Sequence, residues 1–134
     1  MHRPYELNLM SLLVLTTVES LAEAQRIGRI LVEEKLAACV NIIPAATSIY
    51  QWEGKLQESS ETLMLIKSRS GLWKRLKARV KSLHSYRLPE LVGLRMQKVD
   101  RRYAEWLTAN TRAIRKTGGK RINARPSPAL PEKK

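Results

Sequence analysis

The sequence predicts an α+β fold: an antiparallel four-stranded sheet with helices on one face, in the ferredoxin-like βαββαβ order, followed by an extra C-terminal helix. Three observations lead to this prediction. Apolar segments of strand length alternate with two amphipathic helical segments, a short glycine turn joins the two middle strands, and a third helical segment follows the last strand. At 134 residues, 43% of them hydrophobic, the chain can form one domain with a modest core.

The first part of the chain predicts a strand and a helix. Residues 7–17 are rich in Leu and Val and are expected to form a central strand. Ser20 and Glu23 have the spacing of a capping box, which begins a helix that ends near Leu36. Gly28 within it indicates either close packing against the sheet or a tolerated weak position. The apolar stripe of this helix consists of Leu21, Ala24, Ile27, Leu31 and, as a further candidate, Ile30.

A long hairpin follows. Residues 39–52 predict a strand with a bulge or bend at Pro44, because proline cannot donate a ladder hydrogen bond. Residues 53–55 make the turn, where Gly54 supplies a positive φ. Residues 56–67 return as the partner strand.

The second half predicts a helix, a strand and a final helix. Ser70 is expected to cap the second helix, and residues 89–96 form the fourth strand. Asp100 caps the third helix. The buried face of the second helix is Leu72, Leu76, Val80 and Leu83, and that of the third is Tyr103, Trp106 and Leu107.

The hairpin also predicts an assembly. A strand pair over residues 46–66 is long for a domain of this size, so its far end should project and expose Ile49, Tyr50 and Trp52. Exposed apolar edge strands promote aggregation unless another chain pairs with them. A closed oligomer would cover this surface.

The net charge of +13 is unevenly distributed. Residues 1–111 are expected to form the folded domain, and residues 112–134 a basic, disordered tail with eight Lys or Arg and one acid. The second helix adds a basic face of Lys74, Arg75, Lys77, Arg79 and Lys81. These charges allow nucleic acid as a partner, although a solvated basic face is the more common role and makes nucleic acid the weaker candidate.

Composition points to the cytoplasm. The single cysteine excludes an intrachain disulfide framework, and a reduced compartment is the default for such a chain. The apolar N-terminal run is broken by polar residues and lacks a cleavage site. No apolar stretch reaches the roughly 20 residues of a membrane span, so no membrane partner is expected.

Five sequence blocks occur in order between Leu36 and Leu107. They are LAACVNI-P from Leu36, SIY-WEGK from Ser48, a lysine that ends a strand at Lys67, HSYRLPE from His84, and Y-x-x-W-L from Tyr103. This pattern resembles the CutA family, named for divalent-cation tolerance, over about residues 9–111. The resemblance implies a tight trimer whose hairpins pair across subunits, similar in architecture to the PII signalling proteins.

His84 is the candidate metal ligand, since a neutral imidazole suits copper or zinc. The residues alone favour a different role for His84, hydrogen bonding to the end of the second helix, and they favour Cys39 as a small buried hydrophobe. In some CutA members copper is assigned to a strand cysteine and two adjacent histidines, where this chain has Thr16, Leu83 and His84. Binding of copper or another divalent cation is therefore expected to be weak. A trimer could gather three His84 side chains, or combine His84 with Cys39 or Glu90.

The resemblance also implies a cleft between subunits near His84. Its residues allow a small-ligand site there, with Lys67 as the anion anchor. Most of these residues also have a structural alternative. Tyr50 and Trp52 could form the core of the subunit interface. Lys67 and Glu90 could form a structural ion pair, and Arg87 could lie on a solvated turn. Ser85 stands where the family has proline, which is expected to loosen this turn. The expected ligand-binding residues are Lys67, Glu90, Tyr86, Trp52, Tyr50 and Arg87.

No catalytic constellation is present in the sequence. It lacks a glycine-rich phosphate loop, a nucleophile elbow and the Cys–His spacing of a structural zinc site. We therefore expect a non-enzymatic, trimeric, cytoplasmic CutA-like protein of divalent-cation (copper) tolerance, with weak or indirect metal binding. The alternative is a PII-like regulatory trimer that binds a small anionic ligand.

Overall fold

A computed structural model describes residues 9–112 and confirms the predicted α+β fold. Within this range the sheet has the strand order β2-β3-β1-β4, with all neighbours antiparallel. No helix in the range is long and apolar enough to cross a membrane. The predicted tail lies outside the described residues except for Arg112. The elements are β1 (Ser11–Val18), α1 (Leu21–Glu33), β2 (Cys39–Trp52), β3 (Lys55–Arg69), α2 (Trp73–Leu83), β4 (Val92–Arg95) and α3 (Arg101–Ala109).

The core lies between one face of the sheet and helices α1 and α2. Alternate residues of β1 and β3, such as Val14 and Ile66, are fully buried there against Ile27 and Leu76. The strand period of two sends the residues between them to the opposite face. Gly28 of α1 packs closely on β2, because a Cβ there would lie 3.4 Å from Val40 Cγ1.

Several element boundaries differ from the prediction. β1 begins at Ser11 rather than at residue 7. Helix α1 ends at Glu33 rather than near Leu36, because the backbone of Lys35 turns to a φ of 61°. The fourth strand is only Val92–Arg95, the segment that pairs with β1. In each case the apolar sequence continues beyond the residues that form ladder or helix hydrogen bonds, so the predicted element was longer than the observed one.

The predicted helix caps are confirmed at two of three positions. The side chain of Ser20 accepts a hydrogen bond from the Glu23 amide, and that of Asp100 accepts one from the Tyr103 amide. Ser70 is a wrong prediction, because it begins a 3₁₀ turn (Ser70–Leu72) and Leu72 occupies the N-cap position of α2. The capping box is also wrong, since the carboxylate of Glu23 hydrogen-bonds Ser85, far along the chain.

The hairpin has the predicted length, bulge and turn. The pairing of β2 with β3 shifts between Ile43 and Ala46, beside Pro44. Glu53 and Gly54 have φ values of 50° and 80° and link the paired residues Trp52 and Lys55, as in a two-residue type I′ turn. The projecting end exposes Ile49, Tyr50, Trp52 and Leu56.

Candidate functional site

A cleft of about 870 Å³ lies where the projecting hairpin meets the loop after α2. Thr17 at the end of β1 and Glu61 of β3 line its base, and Ser48, Tyr50 and Trp52 of β2 line one side. The other side is the loop of residues 85–90. The sheet therefore supplies one wall, and the exit from α2 supplies the other.

Glu61 and Tyr86 form the tightest side-chain contact in this cleft. The Tyr86 hydroxyl donates to Glu61 Oε2 at 2.6 Å, and Glu61 is only 8% exposed. Burial, and next the hydrogen bond to Glu61, raise the pKa of the Tyr86 phenol well above its usual value. Tyr86 is thereby held protonated, as a donor that fixes the direction of the carboxylate.

The side chain of His84 is fully buried, and both of its ring nitrogens make hydrogen bonds. Nδ1 accepts a hydrogen bond from the Tyr86 amide at 3.1 Å, which places the ring proton on Nε2. Nε2 donates to the Thr17 carbonyl at 2.9 Å and lies 3.3 Å from Thr16 Oγ1. The imidazole therefore joins the loop to the end of β1.

Ser85 attaches the same loop to α1. Its amide donates to Glu23 Oε2 and its hydroxyl to Glu23 Oε1, both at 2.9 Å. The loosening of the turn by Ser85 stays a prediction, and these two contacts to a buried carboxylate oppose it.

Five of the six predicted ligand-binding residues line the cleft: Tyr50, Trp52, Tyr86, Arg87 and Glu90. Lys67 does not line it within one chain. It pairs in register with Cys39 and Leu13, six residues from Glu61 and therefore about 20 Å along the strand. Its ammonium lies 5.8 Å from the ring centroid of Tyr103, so neither the shared cleft nor a Lys67–Glu90 pair forms within one chain.

The two predicted metal ligands are also apart. Cys39 is half-buried rather than buried, and its thiol lies 3.8 Å from Asn41 Oδ1. His84 contacts Thr16, which pairs with Met64, whereas Cys39 pairs with Lys67, about 10 Å further along β3. Among residues 9–112 no three His, Cys, Asp or Glu side chains are grouped as a metal site. The metal roles of His84 and Cys39 stay predictions.

Sequence reasoning missed Glu61, Glu23 and Thr17 as parts of this region. One feature of the sequence could have identified Glu61: it is the last acid of β3, at the point where the strand changes from polar to apolar residues. Its partner Tyr86 is 25 residues away, and Glu23 is 62 residues from Ser85. Contacts of this separation depend on the tertiary fold rather than on local spacing.

The cleft combines aromatic walls with charges of both signs. Glu61 and Glu90 are acidic, whereas Arg87 is the one basic side chain among the described residues that line it. Such a mixture suits a small molecule held by a few polar contacts between apolar surfaces.

Comparison with known proteins gives a consistent family assignment. The family model described as "CutA1 divalent ion tolerance protein" matches residues 12–110. The chain is 48% identical over 102 residues to the divalent-cation tolerance protein CutA of Thermus thermophilus, covering 76% of this chain and 99% of that protein. It is 41% identical to the chloroplastic protein CutA of Arabidopsis thaliana, again over 76% of this chain but only 56% of the relative.

Solved structures support the same family assignment. The Thermus thermophilus Cut A1 structure superposes with a TM-score of 0.74 at 48% identity, over 76% of this chain and 99% of that one. The structure titled periplasmic divalent cation tolerance protein CutA, from Archaeoglobus fulgidus, gives a TM-score of 0.75 at 35% identity, over 77% and 100%.

Proposed function

Because the chain belongs to the CutA1 divalent ion tolerance family, we propose that it is a homotrimeric, cytoplasmic protein of divalent-cation tolerance that binds copper weakly or acts on metals indirectly. The family is named for tolerance and not for a catalysed reaction, and the proposed role is non-enzymatic. The observation that carries the weak or indirect action is the hydrogen bonding of both His84 ring nitrogens.

A metal ion at His84 would have to displace one of these bonds. If the metal coordinates Nδ1, the Tyr86 amide loses its hydrogen-bond acceptor. If it coordinates Nε2, the Thr17 carbonyl loses its hydrogen-bond donor. A buried backbone group left without a partner costs about 1–3 kcal/mol, and the fully buried ring is not open to an approaching ion. Both effects weaken binding.

The trimer is supported by the apolar surface that a single chain leaves open. The sheet face opposite α1 and α2 exposes Ile43, Val92 and Leu94 by 46%, 40% and 48%, and the projecting hairpin exposes Ile49 by 64%. Apolar surface of this kind marks a protein interface. A closed symmetric assembly buries it without leaving a free edge.

The cytoplasmic location rests on the single, unpaired cysteine. Relatives differ in their titles, one chloroplastic and one periplasmic. Fractionation of the native cells tests this part of the proposal, which requires the protein in the soluble cytoplasmic fraction.

A calorimetric copper titration of the tag-free protein tests the metal proposal. We expect the wild type to bind copper with an affinity weaker than micromolar. We expect His84→Gln and Cys39→Ser to leave this weak binding unchanged. His2→Ala is the matched control, because His2 is the other histidine in the chain. Sub-micromolar, stoichiometric binding that survives in His2→Ala and disappears in His84→Gln would overturn the proposal.

The second candidate, a PII-like regulatory trimer that binds a small anionic ligand, is favoured by Arg87 in the aromatic-walled cleft. A ligand that binds only the native state raises the melting temperature. A thermal-shift screen of nucleotides and di- and tricarboxylates tests this, with Arg87→Gln as the diagnostic variant and Arg95→Gln as its control. A shift that Arg87→Gln removes supports the candidate, and a flat response across the panel counts against it.

A further inference from the structure

Helix α2 carries a basic surface whose side chains do not line the cleft. From residue 62 to residue 89 the sequence contains eight Lys or Arg and no Asp or Glu. Five of these bases lie on α2. A charge imbalance of this length is not needed to fold the helix, whose core contacts are made by Leu76 and Val80.

The bases of α2 differ in how far they are neutralised. Arg79 is neutralised, because its guanidinium binds both carboxylate oxygens of Glu34, at 2.8 and 2.7 Å. Lys74, Arg75 and Lys81 are exposed, and no carboxylate among residues 9–112 pairs with them. These three cations therefore present their full charge to solvent.

Two of these cations follow one line along the helix. Lys74 and Lys81 are separated by two helical turns, so they share a stripe and lie about 10 Å apart along the axis. Lys77 lies between them, its ammonium 5.6 Å from the Trp73 ring centroid. Phosphates of one nucleic-acid strand advance about 3.4 Å each along the duplex, so the stripe spans about three of them.

More positive charge gathers at the N-terminal end of α2. Burial, and next the charges of Arg112 and Arg75, lower the pKa of Arg69. Arg69 is held there by Thr111, through hydrogen bonds of 3.1 and 3.2 Å to its hydroxyl and carbonyl. The described chain ends at Arg112, beside this cluster, and the next 22 residues carry seven further bases and one acid.

We propose that Lys74, Arg75 and Lys81 of α2, continued by Arg112, bind the phosphodiester backbone of double-stranded nucleic acid without sequence specificity. Charge on a rigid helix that matches a row of phosphates releases counterions on binding. No exposed aromatic platform accompanies the stripe, since Trp73 packs on Gly93, and this favours backbone contact over base stacking. Helices α1 and α2 lie on the sheet face opposite the open apolar face, so the surface of α2 stays accessible in the proposed trimer.

Fluorescence anisotropy of labelled DNA and RNA duplexes of about 30 base pairs, from about 50 to 200 mM NaCl, tests this inference. The diagnostic variant is Lys74→Gln/Arg75→Gln/Lys81→Gln in the full chain. Its control, Lys55→Gln/Lys98→Gln/Arg102→Gln, removes the same charge from exposed positions off this helix. We expect the diagnostic variant to reduce the slope of log K against log salt by about three, one per lost phosphate contact, and the control to leave it unchanged.

Three results would overturn the inference. They are an absence of duplex binding by the wild type, an equal loss of binding in both triple variants, and tight binding to phosphatidylserine vesicles without binding to duplexes. The two duplexes distinguish the source of the phosphates, since equal affinity indicates backbone charge and a preference for RNA indicates its A-form geometry. Circular dichroism confirms that both triple variants are folded, which is expected because all six positions are exposed.

Discussion

At the scale of single residues, the candidate site depends on one short hydrogen bond. Tyr86 holds Glu61, a nearly buried carboxylate, on the inner side of the cleft. The bond has two consequences: it gives a nearly buried carboxylate a hydrogen-bond donor, and, after burial, it is the second cause that raises the pKa of Tyr86. Both consequences are measurable without knowledge of the ligand.

Tyr86→Phe should destabilise the protein. The substitution keeps the ring and removes the donor, so the Glu61 carboxylate loses its 2.6 Å partner. We expect a loss of about 1–3 kcal/mol in the free energy of unfolding, measured by urea denaturation at a fixed protein concentration. Tyr50→Phe is the control, because its hydroxyl makes an exposed 3.4 Å contact with Ser59. Equal losses in both variants would contradict the role given to the Tyr86–Glu61 bond.

The same bond predicts a loss of stability at alkaline pH. The pKa of Tyr86 is raised from 10.0, first by burial and then by Glu61, so the native state holds this proton more tightly than the unfolded chain does. Its contribution is complete below pH of about 10 and is lost as the pH rises from there toward the folded pKa. Melting temperatures from pH 8 to about 11 should therefore fall more steeply for the wild type than for Tyr86→Phe. Parallel curves would show that Tyr86 does not contribute.

At the scale of secondary-structure elements, the exit from α2 is fixed from three sides. Arg26 of α1 donates to the last carbonyl of α2, that of Leu83, at 3.1 Å. His84 joins the exit to β1, and Ser85 joins it to Glu23. The loop that forms one wall of the cleft is thus tied to α1 and β1 at its beginning.

Ser85→Ala tests this fastening. It removes the hydroxyl bond to Glu23 Oε1 and leaves the amide bond to Oε2 in place, so we expect a loss of about 1 kcal/mol in the free energy of unfolding. Ser82→Ala, which removes an exposed hydroxyl bond to the Arg79 carbonyl, is the matched control and should cost less. A neutral Ser85→Ala would mean that the loop does not depend on Glu23.

The sequence predicts the elements better than the contacts between them. Apolar runs and helical spacing located the four strands and three α-helices from Ser11 to Ala109, and Gly54 identified the hairpin turn. These signals are local, so they can be read from neighbouring residues. The sequence missed Glu61–Tyr86 and Glu23–Ser85 because their residues meet only after the sheet has formed. The same reason explains Lys67. Its position at the end of a strand could be read from the sequence, but its distance from the cleft along β3 could not.

At the scale of the whole molecule, the two faces of the sheet have different roles. One face is covered by α1 and α2, whose outer surface is basic, and the other leaves Ile43, Val92 and Leu94 exposed. The fold, which the solved structures of the family share, accounts for the helices that cover the first face. The proposed trimer accounts for the second, and it places the basic helices outward.

Native mass spectrometry of the tag-free protein, equilibrated with one equivalent of copper and exchanged into volatile buffer, tests the central claim most directly because it counts chains and retained metal together. The account predicts a mass of three times the 15.3 kDa chain with no copper retained. A monomer, or a trimer that keeps a stoichiometric amount of copper through the exchange, would contradict it.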